Sequence, residues 1–396
     1  ECFKQVCFGK KKPTLYAAFI LKKEYEMPQM IALFENKSLS DVDAVFQLYR
    51  FQSEESKSNL NELIWQPLAP YLKDVSTLYF SSIGKLNQIN LGAIPINETE
   101  TLTDRFELHQ MNSTRHLANR ESSPEFSPER VLLFGGVDYQ HTVSEPEILA
   151  VKTSAEPIHA SVGLGNMYRS LRGTDWHYLD RTEHEVNEIG ELFEAQNADL
   201  HILKGKEASE DFFKNSIQFE KSPTVLHFAT HGYFFPPPGD SPSETSGKSG
   251  AQISEHPMIR SGLILAGANR AWKGGNPVPG TEDGILTAYE IAQTDLSNTE
   301  LVVLSACNTG LGDIQQSEGV YGLQRAFKKA GVKYILMTLS SVNDVDSYEF
   351  MTAFYENWLV GKTDIPTAFQ MTQRAMRKKN LKPFNPRAWA GFVLLE

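Results

Sequence analysis

Several short apolar runs, rich in β-branched residues and each followed by a turn signal, limit the folds open to this chain. The clearest are residues 224–230, 301–306 and 334–337. Runs of this kind are typical of strands buried on both faces of a parallel sheet. The alternation of such runs with helical patterns predicts an α/β fold, with a mostly parallel sheet and helices on both faces. The helical patterns cover residues 182–195, 208–219, 320–329, 347–359 and 365–379.

The bulk properties exclude several classes of protein. A chain of 396 residues that is 41% hydrophobic can form one large domain or two. It has no apolar run of about 18 residues, so we expect no membrane span. The net charge of −11 argues against direct nucleic-acid binding. Three cysteines make no disulfide framework or zinc site, which favours a cytoplasmic location, and we expect neither metal nor cofactor.

Composition also suggests how the chain is divided. A polar stretch bearing Ser and Pro, residues 121–128, reads as a linker. We therefore predict an N-terminal α/β half over 1–125 and a larger half over 126–396. The segment 236–254 is rich in Pro, Ser and Gly, and we predict a mobile lid there. The sequence begins with Glu1 rather than Met and has no visible signal peptide, which suggests a fragment or a processed product.

Two of the predicted strands lead to reactive side chains. His231 follows one apolar run and precedes Gly232, and Cys307 follows another and precedes a Gly-rich turn. In open α/β sheets the ligand site lies beyond the carboxyl ends of the strands, so we expect both side chains at one edge. A thiol beside an imidazole can act in nucleophilic catalysis, because the imidazole can take the thiol proton. The alternatives are a histidine whose hydrogen bonds are all made inside the core and a cysteine that is buried and inert.

Other features fit simpler interpretations. His227 lies inside a strand, where we expect a structural role. Thr182, with Glu185 three residues later, is typical of a helix capping box. The glycine pairs match no nucleotide-binding pattern, and Ser305 has no nucleophile elbow around it. Asp344 either starts a helix or could pair with a cationic substrate side chain.

Taken together, these segments resemble the CHAT-domain peptidases of the caspase, gingipain and separase superfamily. Two signature segments carry the resemblance, HFATHGYF (227–234) and LSACNTG (304–310). Six further segments match and extend it from about residue 55 to the end: LIWQPL (63–68), LYFSS (78–82), HPMIRSGL (256–263), EDGILTA (282–288), SEGVYGL (317–323) and NPRAWAGF (385–392).

The resemblance implies a caspase-like fold whose N-terminal half is a degenerate pseudo-caspase. It assigns the catalytic dyad to His231 and Cys307, and the oxyanion-binding N–H groups to Gly232 and Cys307. It also assigns substrate binding to Asp344, Asp283, Arg260 and Glu318. Asp344 would favour a basic residue before the cut, although Ser340 stands where the family pattern has Trp.

The same resemblance implies a cysteine endopeptidase that makes limited cuts in a protein partner. The setting would be a bacterial defence or signalling system, with a gasdermin-like or other effector as substrate. An upstream helical-repeat segment would regulate it. The alternative is a catalytically silent CHAT module that serves as a protein-interaction scaffold.

Overall fold

The computed structural model describes most of the chain. It covers residues 15–35, 60–97, 99–119, 127–141, 175–218, 221–235, 256–275, 278, 280–306, 309–310, 313–315, 319–339, 342–380 and 387–396. Three predicted site residues, Cys307, Glu318 and Ser340, lie outside the described residues, as does the segment 236–254.

The strands confirm the apolar runs as β-structure. They are β1 Leu15–Ile20, β2 Gln29–Glu35, β3 Thr77–Phe80, β4 Glu107–Gln110, β5 Arg130–Val137, β6 Asp199–Gly205, β7 Val225–Ala229, β8 His231–Phe234, β9 Ser261–Ile264, β10 Ile285–Thr287, β11 Leu301–Ser305, β12 Asp313–Gln315, β13 Gly319–Tyr321, β14 Tyr334–Thr338 and β15 Phe392–Leu395.

The α-helices alternate with these strands. They are α1 Gln66–Leu68, α2 Leu102–Arg105, α3 Asp180–Glu194, α4 Glu210–Gln218, α5 Ala268–Trp272, α6 Ala288–Ile291, α7 Leu323–Ala330, α8 Asp344–Tyr355, α9 Ile365–Lys379 and α10 Arg387–Ala390. Short π-helical turns precede α1 and follow α8, at Asn61–Trp65 and Glu356–Val360. Across the part of the chain that the structure describes, no helix combines the length and apolarity that a membrane crossing requires.

The main sheet has eight strands in the order β3-β4-β15-β14-β11-β7-β5-β6. All neighbouring strands run parallel except β14 and β15, which pair antiparallel. A smaller antiparallel sheet has the order β10-β9-β8, and its strand β8 directly follows β7 in sequence. The predicted α/β architecture with a mostly parallel sheet is therefore confirmed.

Alternate residues of the central strands face different helices. Phe228 belongs to a core cluster that includes Phe213 of α4 and Phe327 of α7. The preceding residue, His227, points the other way, where it meets Glu185 of α3 and Tyr355 of α8. Side chains of a strand alternate between its two faces, so helices cover the sheet on both sides.

Two local predictions, a turn at Gly135 and Gly136 and a helix start at Thr182, are wrong because α3 packs closely against β5. The sequence suggests a turn at Gly135 and Gly136, but β5 continues through both, with an irregular register between Phe134 and Val137. A Cβ on Gly135 would lie 2.5 Å from the carbonyl oxygen of Thr182, so glycine here lets α3 approach the strand. The Thr182 hydroxyl accepts the Gly136 N–H, and α3 starts two residues before Thr182, with Leu179 at its N-cap.

The chain divides into two compact units, one of residues 1–76 and 91–106, the other of residues 77–90 and 107–396. The first unit holds the β1–β2 hairpin, α1 and α2, with Trp65 packed 5.8 Å from Phe106 between ring centroids. The second unit holds both larger sheets. The division predicted at residue 125 rests on a linker-like composition and stays a prediction.

Candidate active site

The ends of β7 and β11 lie side by side. Their parallel register pairs Ala229 with Ser305, so the residues that follow each strand leave from the same edge of the sheet. Thr230 and His231 follow β7, and Ala306 follows β11. This is the edge at which α/β proteins place ligands.

His231 is the first residue of β8 and starts a strand of the smaller sheet, pairing there with Ile264. Its Nε2 lies 2.8 Å from the carbonyl oxygen of His177. A carbonyl oxygen only accepts hydrogen bonds, so Nε2 must carry the hydrogen. The neutral ring therefore keeps its lone pair on Nδ1, where it can accept a proton.

Two aromatic rings flank the His231 imidazole. The centroid of the Trp176 ring lies 4.9 Å from it and that of Tyr139 lies 5.1 Å from it. This burial lowers the pKa of His231 below its usual value, and the hydrogen bond to His177 and the charge of Asp344 oppose the shift. The neutral, proton-accepting form therefore predominates at neutral pH.

Tyr139 also holds the backbone at His231. Its buried hydroxyl lies 3.0 Å from Oγ1 of Thr230 and hydrogen-bonds the His231 backbone. The Thr230 hydroxyl donates in turn to the carbonyl of Ile264. Burial raises the pKa of Tyr139, so the phenol stays neutral and its hydrogen bonds persist at physiological pH.

The residues on either side of Cys307 are tied to the end of β14. The hydroxyls of Thr338 and Thr309 donate to the Ala306 carbonyl at 2.6 and 3.2 Å, and the Gly310 N–H donates to the Thr338 carbonyl at 2.7 Å. Cys307 itself lies outside the described residues. Both chain segments leading to it are nevertheless fixed to one strand end.

Asp344 is the first residue of α8 and lies half-buried on the His231 side of the fold. Its carboxylate charge acts on both His231 and Tyr139. The side chain of Asn343 caps the helix by accepting the Asp346 N–H at 2.8 Å. Asp344 thus lies at a helix start, as one interpretation of the sequence predicts, and also near His231.

Two other predicted substrate-binding residues that the structure describes, Arg260 and Asp283, lie farther from His231 than Gly232 does. Arg260 is 1% exposed, and its Nη1 donates to the Phe235 carbonyl at 3.0 Å, beyond the opposite end of β8. Asp283 precedes β10, which reaches β8 only through β9. Gly232, the predicted oxyanion donor, is the half-buried second residue of β8. The described residues therefore bring together His231, Gly232 and Asp344, and leave Arg260 and Asp283 apart.

A match to the CHAT domain model extends over residues 54–396. The chain belongs to the CHAT-domain family. It is 31% identical to Tetratricopeptide repeat protein 28 of Mus musculus over 118 residues, which are 30% of this chain and 5% of that protein.

Two solved structures are similar to this CHAT domain at low identity. One is the Arg-specific cysteine proteinase gingipain R (RGPB), with a TM-score of 0.46, 10% identity, and coverage of 87% of this chain and 67% of that one. The other is the separase–securin complex of Saccharomyces cerevisiae, with a TM-score of 0.40, 9% identity, and coverage of 85% and 17%.

A second cluster of charged groups in the CHAT domain lies around Lys214. Its Nζ is 2.8 Å from Glu210, 3.0 Å from Glu282 and 2.9 Å from Glu290. The three carboxylates offer oxygens within 4.8 Å of one another, which is a spacing that suits a metal ion. Because the Lys214 ammonium already pairs with all three carboxylates, the cluster acts as a cross-link between α4, the loop before β10, and α6.

Asp283 lies beside this cluster rather than beside His231. One of its carboxylate oxygens accepts the Ile285 N–H at 2.8 Å. Burial raises the pKa of Asp283 to about 6, with the neighbouring carboxylates of Glu290 and Glu282 adding to the shift and Lys214 opposing it. Its surroundings favour a structural role in the loop before β10.

Sequence reasoning misses three residues that surround His231: Tyr139, Trp176 and His177. The contribution of His177 is a backbone carbonyl, which every residue type carries, so no residue pattern could indicate it. Trp176 and His177 directly follow a stretch that reads as a long polar insertion. Tyr139 follows the glycine pair, and a Tyr after a strand has no specific chemical signature.

Proposed function

We propose that this CHAT domain is a cysteine endopeptidase in which Cys307 is the nucleophile and His231 the general base and acid. One observation carries the proposal. The hydrogen bond from His231 Nε2 to the His177 carbonyl leaves a lone pair on Nδ1, at the sheet edge to which the strand before Cys307 leads.

The reaction needs only these two side chains and backbone donors. Nδ1 of His231 takes the thiol proton of Cys307, and the sulfur electron pair forms the C–S bond as the carbonyl electrons move to oxygen. The backbone N–H groups of Gly232 and Cys307 stabilise that oxyanion. His231 then gives the proton to the leaving amine, and water hydrolyses the thioester to restore the thiol.

Asp344 supports a preference for Arg or Lys before the cut. Its carboxylate is half-buried and lies close enough to His231 to influence its protonation. A carboxylate in such a place can form a charge-assisted pair with a substrate guanidinium or ammonium.

The substrate would be a protein partner that is cut at a limited number of sites, in a bacterial defence or signalling pathway. A gasdermin-like or other effector is the kind of substrate we propose. The curated relative is named for tetratricopeptide repeats, which supports a helical-repeat segment as the regulatory partner.

Thiol labelling and peptide cleavage test the proposal together. With Cys2 and Cys7 replaced by Ser, Cys307 is the sole thiol of the chain, so iodoacetamide reports on it alone. We expect fast labelling at neutral pH, because an imidazole partner generates thiolate. His231→Ala should slow the labelling, while His201→Ala, at a half-exposed histidine paired with Asp199, should not.

Cleavage of a proteome-derived peptide library then measures activity. Cys307→Ala should abolish cleavage, since loss of a catalytic nucleophile costs many powers of ten. A slow-labelling thiol with no cleavage of any library peptide would reject the peptidase and favour the silent scaffold.

A further inference from the structure

The groups that hold His231 come from a segment without regular secondary structure. Residues 175–179 form neither helix nor strand, yet they supply the Trp176 ring and the His177 carbonyl that contact the imidazole. An irregular backbone holds a fixed position only when other groups bind its polar atoms. The source of that restraint therefore decides how firmly His231 is oriented.

Asn269 binds this segment at both polar atoms of one residue. It lies on α5 and is 1% exposed. Its Oδ1 accepts the Trp176 N–H at 2.9 Å, and its Nδ2 donates to the Trp176 carbonyl at 2.9 Å. The carboxamide thus pairs with Trp176 as a neighbouring strand would, and the carbonyl of His177 comes next along the chain.

The backbone of Asn269 binds the second residue whose ring contacts the imidazole. Its N–H donates to the Tyr139 carbonyl at 3.0 Å. Tyr139 and Trp176 are the two residues whose rings flank His231. One buried asparagine is therefore bonded to both.

The other hydrogen bonds of the segment lie at its remaining residues. The Leu179 carbonyl accepts from the Thr182 N–H at 3.1 Å and from the Thr182 hydroxyl at 2.7 Å, and the Tyr178 hydroxyl donates to Glu183 at 2.7 Å, so these bonds hold neither Trp176 nor His177. Asp175 pairs with Lys273 at 2.6 Å and with Gln140 at 3.2 Å, but Lys273 is exposed, and exposed ion pairs stabilise little. The Trp176 ring also packs against Trp272, with 4.9 Å between centroids. Ring packing limits where the indole lies but does not orient the carbonyl of the next residue.

We propose that Asn269 is a positioning residue that sets the tautomer and the ring orientation of His231 through Trp176 and His177. The inference rests on the proposed peptidase function, in which Nδ1 must face Cys307. Without the carboxamide, the His177 carbonyl is released from its place, Nε2 loses its acceptor, and the imidazole populates the other tautomer.

The test compares Asn269→Ala with a matched control, Asn90→Ala. Asn90 is also buried, and its Nδ2 donates to two backbone carbonyls, of Ala390 at 3.0 Å and Phe392 at 2.9 Å. Both variants thus lose a buried carboxamide bonded to backbone. Asn269→Asp is the second variant, because it keeps an acceptor for the Trp176 N–H but loses the donor, and it serves if the alanine variant does not fold.

Nitrogen NMR of ¹⁵N-histidine-labelled full-length protein reads the tautomer without needing activity. A His231→Gln variant assigns the signal. In the wild type above the His231 pKa we expect the hydrogen on Nε2, in Asn269→Ala a mixture of tautomers, and in Asn90→Ala the wild-type pattern. His177 and Asp344, the titratable residues that act electrostatically on the ring, remain in all variants.

Kinetics give the second readout. A misplacement of about 1 Å at a catalytic group can cost on the order of 100-fold, so kcat should fall about 100-fold in Asn269→Ala with KM little changed. An unchanged His231 tautomer in Asn269→Ala or Asn269→Asp would overturn the inference. A wild-type protein without peptidase activity would reject the proposed function and still leave the tautomer measurement to decide the role of Asn269.

Discussion

Replacing Lys214 with Met should destabilise the fold strongly, because it removes the one ammonium shared by three carboxylates. The Nζ atom lies within 3.0 Å of Glu210, Glu282 and Glu290, and Glu210 is only 1% exposed. Removing one partner of a buried ion pair costs about 3–5 kcal/mol, since a charge is left buried and uncompensated. We expect a loss in that range at pH 7.5.

The pH dependence of this loss checks its electrostatic origin. Burial raises the pKa of Glu210, and Lys214 is the group that opposes the shift. In the variant, protonation of the carboxylates as the pH falls relieves their mutual repulsion. The loss should therefore shrink between pH 7.5 and pH 5. Added Ca²⁺ should also restore stability to the variant but not to the wild type, because the freed oxygens lie within 4.8 Å of one another.

Urea denaturation followed by tryptophan fluorescence measures the free energy of unfolding, with Lys221→Met as the control. Lys221 is 69% exposed and lies 3.8 Å from Glu129, so its loss should cost less than about 1 kcal/mol. A loss below about 1 kcal/mol for Lys214→Met, or one equal to that of the control, would refute the reasoning.

Three further outcomes are expected. The acid limb of the kcat/KM profile should lie below pH 6.5, because burial lowers the pKa of His231; a limb above pH 7 would contradict this. Since burial raises the pKa of Asp283 from 3.8 to about 6, the wild type should lose stability as the pH rises through that window. Asp283→Asn should reduce this loss but not remove it, because burial also raises the pKa values of Glu210, Glu282 and Asp211. The variant should raise the free energy of unfolding at pH 7 by about 1–3 kcal/mol in urea titrations. Asp344→Ala should lower kcat/KM on Arg or Lys peptides about 30-fold, whereas the control Asp346→Ala should lower it less than about 3-fold. If Asp344→Ala lowered kcat/KM equally on apolar peptides, Asp344 would have no role in specificity.

The buried strands could be predicted from sequence because burial on two faces leaves a continuous apolar run. β11 and β14 match their predicted runs to within a residue or two, and β15 coincides with the apolar run FVLL (392–395), which likewise predicts a strand. The direction of β15 could not be predicted, because an apolar run carries no sign of whether its neighbour is parallel. The sequence also does not indicate that His231 starts a new strand, because a single residue separates β7 from β8.

The parts of the candidate site that sequence did not indicate are long-range hydrogen bonds. Thr182 and Glu185 look like a capping pair, but in the fold Thr182 bonds Gly136, and Glu185 bonds His227. The carboxamide of Asn269 forms hydrogen bonds to a segment more than 90 residues away in sequence. Local patterns predict local partners, so a polar side chain recruited by tertiary structure escapes them.

The antiparallel strand β15 has a consequence for the order in which the protein can be assembled during synthesis. It lies between β14 and β4, and bonds to the latter at Leu395, with the Glu396 N–H donating to the Gln110 carbonyl at 2.8 Å. The strands β3 and β4 emerge from the ribosome early, yet they join the main sheet only through residues made almost 300 positions later. Pairing between residues so far apart in sequence slows folding. Until β15 is made, β14 and β4 each present an unpaired strand edge that chaperones can cover.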